Sequence, residues 1–207
     1  MCSPPQDLSL LFVRHAATAW TAAARYQGRR DPPLSAEGQR EAAGLAERLR
    51  DMPITLVLSS PLVRARDTAA AIAAATGARL TVDARLIELA YGEWEGLTQG
   101  EVKAAWPEEL RGWKRSPHTA RPPGGEWLAE VQTRLDDLLA DLQRRTAAGC
   151  VMALVSHDIV IRLALLAGAG AGHEGLRGLS VPPASAYPAR LRAGRLLFPP
   201  IEHAANV

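Results

Sequence analysis

Little in this sequence could staple a fold shut or tie the chain to a polyanion. Its two cysteines, Cys2 and Cys150, are too few for a disulfide framework, and neither has a neighbour at metal-ligand spacing. A reduced, cytoplasmic protein is the expectation. Basic side chains number 24 against 22 acidic ones, a net charge of +2. That excess is too small for nucleic acid or an anionic membrane to be the main partner, so any anion site must be local. The longest early apolar stretch, Leu10 to Val13, follows no basic residue and is far shorter than the apolar region of a signal peptide. No segment approaches the roughly 20 apolar residues of a membrane span, and neither an internal repeat nor a linker is visible. What remains is 207 residues, 47% hydrophobic and 22% charged, the composition of one globular domain over residues 1–207.

The apolar pattern alternates between strands and helices. Leu8 to Val13 has no helical period and reads as a strand buried on both faces, stopping at Arg14 and His15. Ser35 can cap a helix whose Ala42, Leu45, Ala46 and Leu49 share one face, with Pro53 beyond its end. Ile54 to Leu58 is a second strand. It leads into Ser59, Ser60 and Pro61, read as a serine cap and first-turn proline of a helix that Gly77 stops. Leu80 to Val82 is a short strand, and Leu86 to Gly125 is irregular, with one helix around Glu101 to Trp106. The clearest amphipathic stripe runs from Leu128 to Leu142. Cys150 to Val155 is another buried strand, ending at Ser156 and His157, and Ile159 to Ala167 a helix closed by Gly168. Ala186 to Leu191 and Arg195 to Phe198 form a terminal hairpin, apolar enough to leave a homodimer open. The sum is an α/β three-layer sandwich, a mainly parallel sheet flanked by helices.

His15 and His157 each directly follow an apolar strand, and a third strand runs into a helix carrying Arg64. Ligands of open α/β sheets bind at the carboxyl ends of strands, so these residues can converge on one crevice. Either histidine alone reads equally well as a hydrogen-bonded structural side chain. The repeated placement, with Arg14 beside one of them, favours a site. Two imidazoles with two guanidinium forks suit a phosphoryl group, whose oxygens arginine binds bidentately. Neutral imidazole is a nucleophile, and covalent catalysis through it splits phosphoryl transfer into two displacements. Neighbouring arginines would hold its pKa below the reference of about 6.5. A metal site of His15, His157 and Glu88 competes with this reading, but two guanidinium groups beside a divalent cation would be electrostatically costly.

Five blocks then carry a family resemblance: RHAATAW (Arg14 to Trp20), QGRRDPPLSAEG (Gln27 to Gly38), SSPLVRARDTAA (Ser59 to Ala70), ELAYGEWEG (Glu88 to Gly96) and SHDIVIR (Ser156 to Arg162). In this order they resemble the histidine phosphatase superfamily, in its phosphoglycerate mutase-like branch. The resemblance implies that His15 is the phosphorylated nucleophile, that Arg14, Arg64 and His157 hold the phosphoryl oxygens, and that Glu88 is the proton donor. Gln27 falls where phosphatase-like members place a glutamine near the phosphate, and Thr21 where the family usually has asparagine. The implied fold has a lid over the crevice, here about 92–125, and neither a metal nor another cofactor is implied. A metal-independent phosphomonoesterase acting on a small phosphorylated metabolite is the expectation. The alternatives are a 2,3-bisphosphoglycerate-dependent mutase and a non-catalytic phospho-ligand binder.

Several residues depart from the family pattern. Ala16 and Ala17 replace a glycine and a glutamate, and Thr21 offers one donor where an amide offers two. Gln99 stands where mutases carry a substrate-binding lysine, which favours a hydrolase. Asp158 stands where many members have glycine, and is read as capping the following helix and pointing away from the phosphate. Glu88 near two arginines should have a depressed pKa, with bound phosphate restoring its proton. Trp20 and Trp94 are read as packing; for Trp106 and Trp113 in the lid, substrate contact is the less favoured of two readings. Arg29, Arg30, Lys103, Lys114, Arg115 and Arg121 are read as solvated charges unless they face the site together and select an acidic substrate. Glu126 is assigned to the first turn of the long helix. His118, His173 and His203 receive no role.

Overall fold

The computed structural model describes residues 7–146 and 149–199; Cys2 and His203 lie outside them. Six strands form one mixed sheet in the order β3-β2-β4-β1-β5-β6. They are β1 (Leu8–Arg14), β2 (Ile54–Ser59), β3 (Arg79–Val82), β4 (Val151–Ser156), β5 (Ala186–Arg192) and β6 (Arg195–Leu197). Pairs β1/β4, β2/β4 and β2/β3 are parallel, while β5 runs antiparallel to β1 and β6 to β5. The seven α-helices among the described residues are α1 (Ala19–Ala22), α2 (Ala36–Leu49), α3 (Val63–Thr76), α4 (Gln99–Ala105), α5 (Pro107–Arg115), α6 (Leu128–Arg145) and α7 (Asp158–Ala169).

Side-chain alternation along the strands divides the core between the two faces of the sheet. Leu11, Val13, Val57, Ala153 and Val155 pack with Leu45 and Leu49 of α2 and Ala65, Ala69 and Ile72 of α3. Leu10, Phe12, Met152 and Leu154 point the other way, into α6 and α7. This is the expected three-layer sandwich. Central strands buried on both faces explain why their sequences run apolar without alternation. Among the described residues no helix is long and apolar enough to cross a membrane.

Three boundaries differ from the sequence reading for identifiable reasons. Helix α3 starts at Val63, not at Pro61, with Leu62 as an N-cap that makes no side-chain cap bond. Ser60 is not its cap because its hydroxyl is engaged by His157 at 2.7 Å. Helix α7 runs through Gly168 to a left-handed Gly170 at φ 64°. Gly168 is small for packing instead, since a Cβ there would lie 2.5 Å from the Phe198 ring. The segment 92–125 holds two helices rather than one. Pro107 opens the second, and Val102, Leu110 and Trp113 are built into the larger core cluster.

One close approach matters for the site. Gly38, in the first turn of α2, leaves no room for a side chain: a Cβ would sit 1.9 Å from the Ala17 carbonyl oxygen. The Ala17 N–H donates to Glu41 of the same helix at 2.8 Å, and Ser35 N–H donates to the Ala17 carbonyl at 3.0 Å. Helix α2 thus grips the turn that follows His15. Gly44 on the same helix has nothing nearer than the Arg48 guanidinium at 3.9 Å. The same substitution should therefore have opposite signs on one helix. In urea unfolding, Gly44→Ala should raise stability by about 0.5–1 kcal/mol through helix propensity. Gly38→Ala should lower it by about 1–3 kcal/mol through overpacking against backbone.

Candidate active site

The site starts from strand register. Arg14 pairs with Ser156 across the β1/β4 ladder, so His15 and His157 leave the sheet side by side, their ring centroids 5.1 Å apart. The two imidazoles are oriented differently. His15 Nδ1–H donates to the Ala16 carbonyl at 2.7 Å, leaving the lone pair on Nε2, to which Arg64 Nε–H donates at 3.3 Å. For His157, Nε2 meets the Ser60 hydroxyl at 2.7 Å, while Nδ1 is buried with no hydrogen-bond partner. Leu62 N–H donates to Ser60 Oγ at 3.4 Å. A hydroxyl carries one donor and two acceptor lone pairs, so either Ser60 or the His157 ring can donate in this contact.

Arg64, from the first turn of α3, is 0% exposed. Its Nη1 and Nη2 donate to the Arg30 and Gly28 carbonyls, each at 2.7 Å. Arg14 donates from Nη1 to the Val181 carbonyl and lies 3.5 Å from the Asp158 carboxylate, and its Nε is buried without a partner. Glu88, 5% exposed, accepts from the Leu89 N–H at 2.8 Å. Arg14, His15, Gln27, Arg64 and Glu88 line one cavity of about 200 Å³, with Asp158 and Tyr91 on its wall. His157 stands buried beside His15.

Burial is the main electrostatic force here. It pushes both imidazoles well below the usual histidine range, with the Arg64 and Arg14 charges adding to it. The arginines, which the sequence suggested as the cause, come second. Glu88 moves opposite to the sequence expectation: its pKa is raised to about 7, chiefly by burial and next by the Asp158 charge. These outweigh the Leu89 N–H, Arg64 and Arg14, so no phosphate is needed to explain a proton on Glu88.

Thr21 and Asp158 also need correction. Thr21 is not on the cavity wall. Its hydroxyl closes a capping box with Thr18 at the start of α1 and accepts from Gln27 Nε2 at 3.0 Å. It braces Gln27, whose Oε1 accepts from the Thr18 hydroxyl at 3.1 Å. Asp158 neither caps α7, whose N-cap is His157, nor points away. It lines the cavity, paired to Arg162 at 3.0 Å and facing Arg14.

A second cavity, of about 350 Å³, shares Tyr26, Tyr91 and Asp158 with the first and adds Gln99, Trp113 and Lys114. Of the six basic residues singled out in the sequence, Lys114 alone lines either cavity. Arg29 pairs with Glu126 at 3.3 Å, and Arg121 lies over the Trp127 ring. Glu126, directly before the Trp127 N-cap of α6, pairs with Arg134 at 3.3 Å and accepts from the Ala90 N–H at 3.3 Å. Trp113 reaches the cavity wall, whereas Trp106 packs on the core. Among the described residues no group of three or more His, Cys, Asp or Glu side chains is arranged to hold a metal ion.

Sequence reasoning missed Ser60, Tyr26 and Tyr91. Ser60 was legible by position, since it follows a strand at the same end of the sheet as both histidines. The tyrosines gave no such signal, because their ring contact at 4.9 Å joins segments distant in sequence.

The family model of the histidine phosphatase superfamily, branch 1, matches residues 10–198. The chain belongs to that superfamily. It is 37% identical over 155 residues to phosphoserine phosphatase 1 of Hydrogenobacter thermophilus, covering 75% of this chain and 73% of that protein. A probable phosphoglycerate mutase of Salmonella choleraesuis is likewise 37% identical, over 158 residues, covering 74% and 71%. Among solved structures, a mycobacterial glucosyl-3-phosphoglycerate phosphatase in complex with VO3 superposes with a TM-score of 0.80 at 31% identity, covering 87% and 90%. Membership, with phosphatases among its relatives, makes this histidine phosphatase an enzyme of the phosphoric monoester hydrolase class.

A raised carboxyl pKa costs stability wherever the unfolded chain would be ionised and the folded one is not. With Glu88 at about 7 folded and 4.5 unfolded, that cost grows as pH rises from 4.5 to 7 and is complete above. Glu88→Gln removes it. Its unfolding free energy should exceed that of the wild type by up to ~3 kcal/mol at pH 8 and by only ~1 kcal/mol at pH 5, read by denaturant titration at both.

Proposed function

We propose that this histidine phosphatase hydrolyses a small phosphate monoester through a phosphohistidine on His15. The observation that carries the reading is the pairing of His15 with Glu88 in one cavity. The imidazole is held neutral with its Nε2 lone pair in the pocket, and the carboxyl retains a proton near neutral pH.

In the first step the Nε2 lone pair attacks phosphorus, the bond from phosphorus to the ester oxygen breaks, and Glu88 gives its proton to the departing alkoxide. In the second, a water loses a proton to the Glu88 carboxylate and attacks phosphorus, the N–P bond breaks, and the electron pair returns to Nε2. Both steps balance without a metal. Arg64 Nε, at 3.3 Å from the nucleophile, passes its hydrogen bond to a phosphoryl oxygen as phosphate arrives. The partnerless Arg14 Nε and His157 Nδ1 supply further donors, in the manner expected for charge on equatorial phosphoryl oxygens. Gln27 serves as a positioned amide held by Thr21 and Thr18.

The second cavity suits the alcohol part of the ester. Its aromatic wall of Tyr26, Tyr91 and Trp113 offers apolar surface, and Lys114 offers a positive charge beside it. Gln99 in that wall, where a mutase-like chain has lysine, supports hydrolysis over transfer to a second phosphoglycerate.

Wild-type protein should hydrolyse p-nitrophenyl phosphate with excess chelator present. His15→Ala should abolish turnover, and acid-labile, base-stable label from a 32P ester should appear on the wild type alone. Glu88→Gln should lose roughly 10²-fold or more on an alkyl phosphate and much less on the aryl ester, whose leaving group needs little protonation. Chelator-sensitive turnover, or equal losses of Glu88→Gln on both esters, would overturn the mechanism.

A further inference from the structure

Asp158 places a carboxylate on the wall of a pocket otherwise furnished for an anion. It is the first residue of α7, where the helix dipole favours negative charge. Arg162, one turn on, grips both its oxygens: Nε lies 3.0 Å from Oδ1 and Nη2 3.0 Å from Oδ2. The same Oδ1 lies 3.5 Å from Arg14 Nη1. Asp158 is therefore shared by two arginines, one in each cavity.

Two carboxyl groups on the wall of one cavity raise the cost of ionising each other. Asp158 has two guanidinium groups and a helix N-terminus. Glu88 has one backbone N–H from Leu89 and near-complete burial. The charged and titratable groups around their common cavity are Arg14 and His15 from the end of β1, Arg25 and Tyr26 from the segment after α1, Arg64 from α3, Tyr91 from the segment after Glu88, and Asp158 from α7. Arg162 pairs with Asp158 from behind, and His157 adjoins His15.

We propose that Asp158 is a positioning residue: fixed between Arg14 and Arg162, it is a built-in negative charge that adds to burial in favouring the protonated form of Glu88 before any phosphate enters. Free enzyme is thereby loaded with its acid. The inference rests on the proposed role of Glu88, and it assigns to Asp158 the part that bound substrate would otherwise have to play. Asp158 neither gives nor takes the proton.

Carboxyl 13C shifts in glutamate-labelled, ligand-free protein read the Glu88 titration directly, with Glu88→Gln assigning its signal. The wild-type midpoint should lie near 7. Asp158→Asn, which keeps the size and one acceptor for Arg162, should lower it by about one unit. Asp158→Glu should restore it, and Asp158→Gly provides a second charge-free variant if the asparagine protein does not fold. In kinetics the alkaline limb of kcat/KM for an alkyl phosphate should move down with Asp158→Asn, while that for the aryl ester stays. An unmoved midpoint in both charge-free variants overturns the inference. So does an alkyl-ester loss equal to that of Glu88→Gln at every pH, which would make Asp158 the acid itself. A midpoint that moves while Glu88→Gln leaves hydrolysis unchanged fails the proposed function instead and leaves the electrostatic link standing.

Discussion

Arg64 has no solvent around its charge, and the local structure of the pocket follows from satisfying it. Stranding a buried guanidinium costs several kcal/mol, so its donors must find oxygens. Two come from the backbone of the 25–31 segment, at Gly28 and Arg30. That segment is held in turn: Glu95 accepts from the Arg29 N–H at 3.0 Å, an approach open only because Gly28 lacks a Cβ, which would lie 2.2 Å from the Glu95 carboxylate. Asp31 accepts from the Val63 N–H at 2.7 Å and so ties the segment to the first turn of α3, next to Arg64 itself. The loop orients the arginine and the arginine orients the loop. Gln27 and Gly28 reach the cavity wall as a consequence.

Desolvation then tunes acid and base together. Taking a group out of water disfavours its charged form, which lowers a histidine and raises a carboxylic acid. Burial of both side chains therefore lowers the imidazole and raises the carboxyl together, the complementary states that the proposed phosphoryl transfer to nitrogen uses. The arginines oppose this for Glu88 and reinforce it for His15. Asp158 adds to the balance at Glu88 while its own oxygens stay committed to Arg162 and Arg14.

Most of the sandwich was legible because burial on both faces leaves apolar runs that no other element mimics at that length. The residues at the strand ends were legible for a related reason: a charged or imidazole side chain directly after such a run has few bland explanations when the pattern repeats. What the sequence concealed were pairwise contacts between distant segments. Ser60 looked like a helix cap because Ser-Pro is a good helix start, yet its hydroxyl is worth more to the buried His157 ring. Gly168 looked like a helix stop, but Phe198 needed the space. Asp158 read as a cap, although a carboxylate one residue inside the helix could meet Arg162 on the next turn as well as Arg14 on another strand. Glu88 was assigned the wrong direction because nearby arginines are visible in a sequence and exclusion of water is not.

The joining of β1 to β4 has a temporal consequence. Arg14 and Asp158 are 144 positions apart, and β5, on the other side of β1, comes later still. On a ribosome adding about 5–20 residues each second, His15 emerges many seconds before the strand that seats it. Until then β1 has an unpaired apolar edge on both sides, and no shorter nascent chain contains the assembled cavity. Long-range pairing of this kind slows folding, so the waiting strand is the segment of the newborn chain most in need of shielding from aggregation.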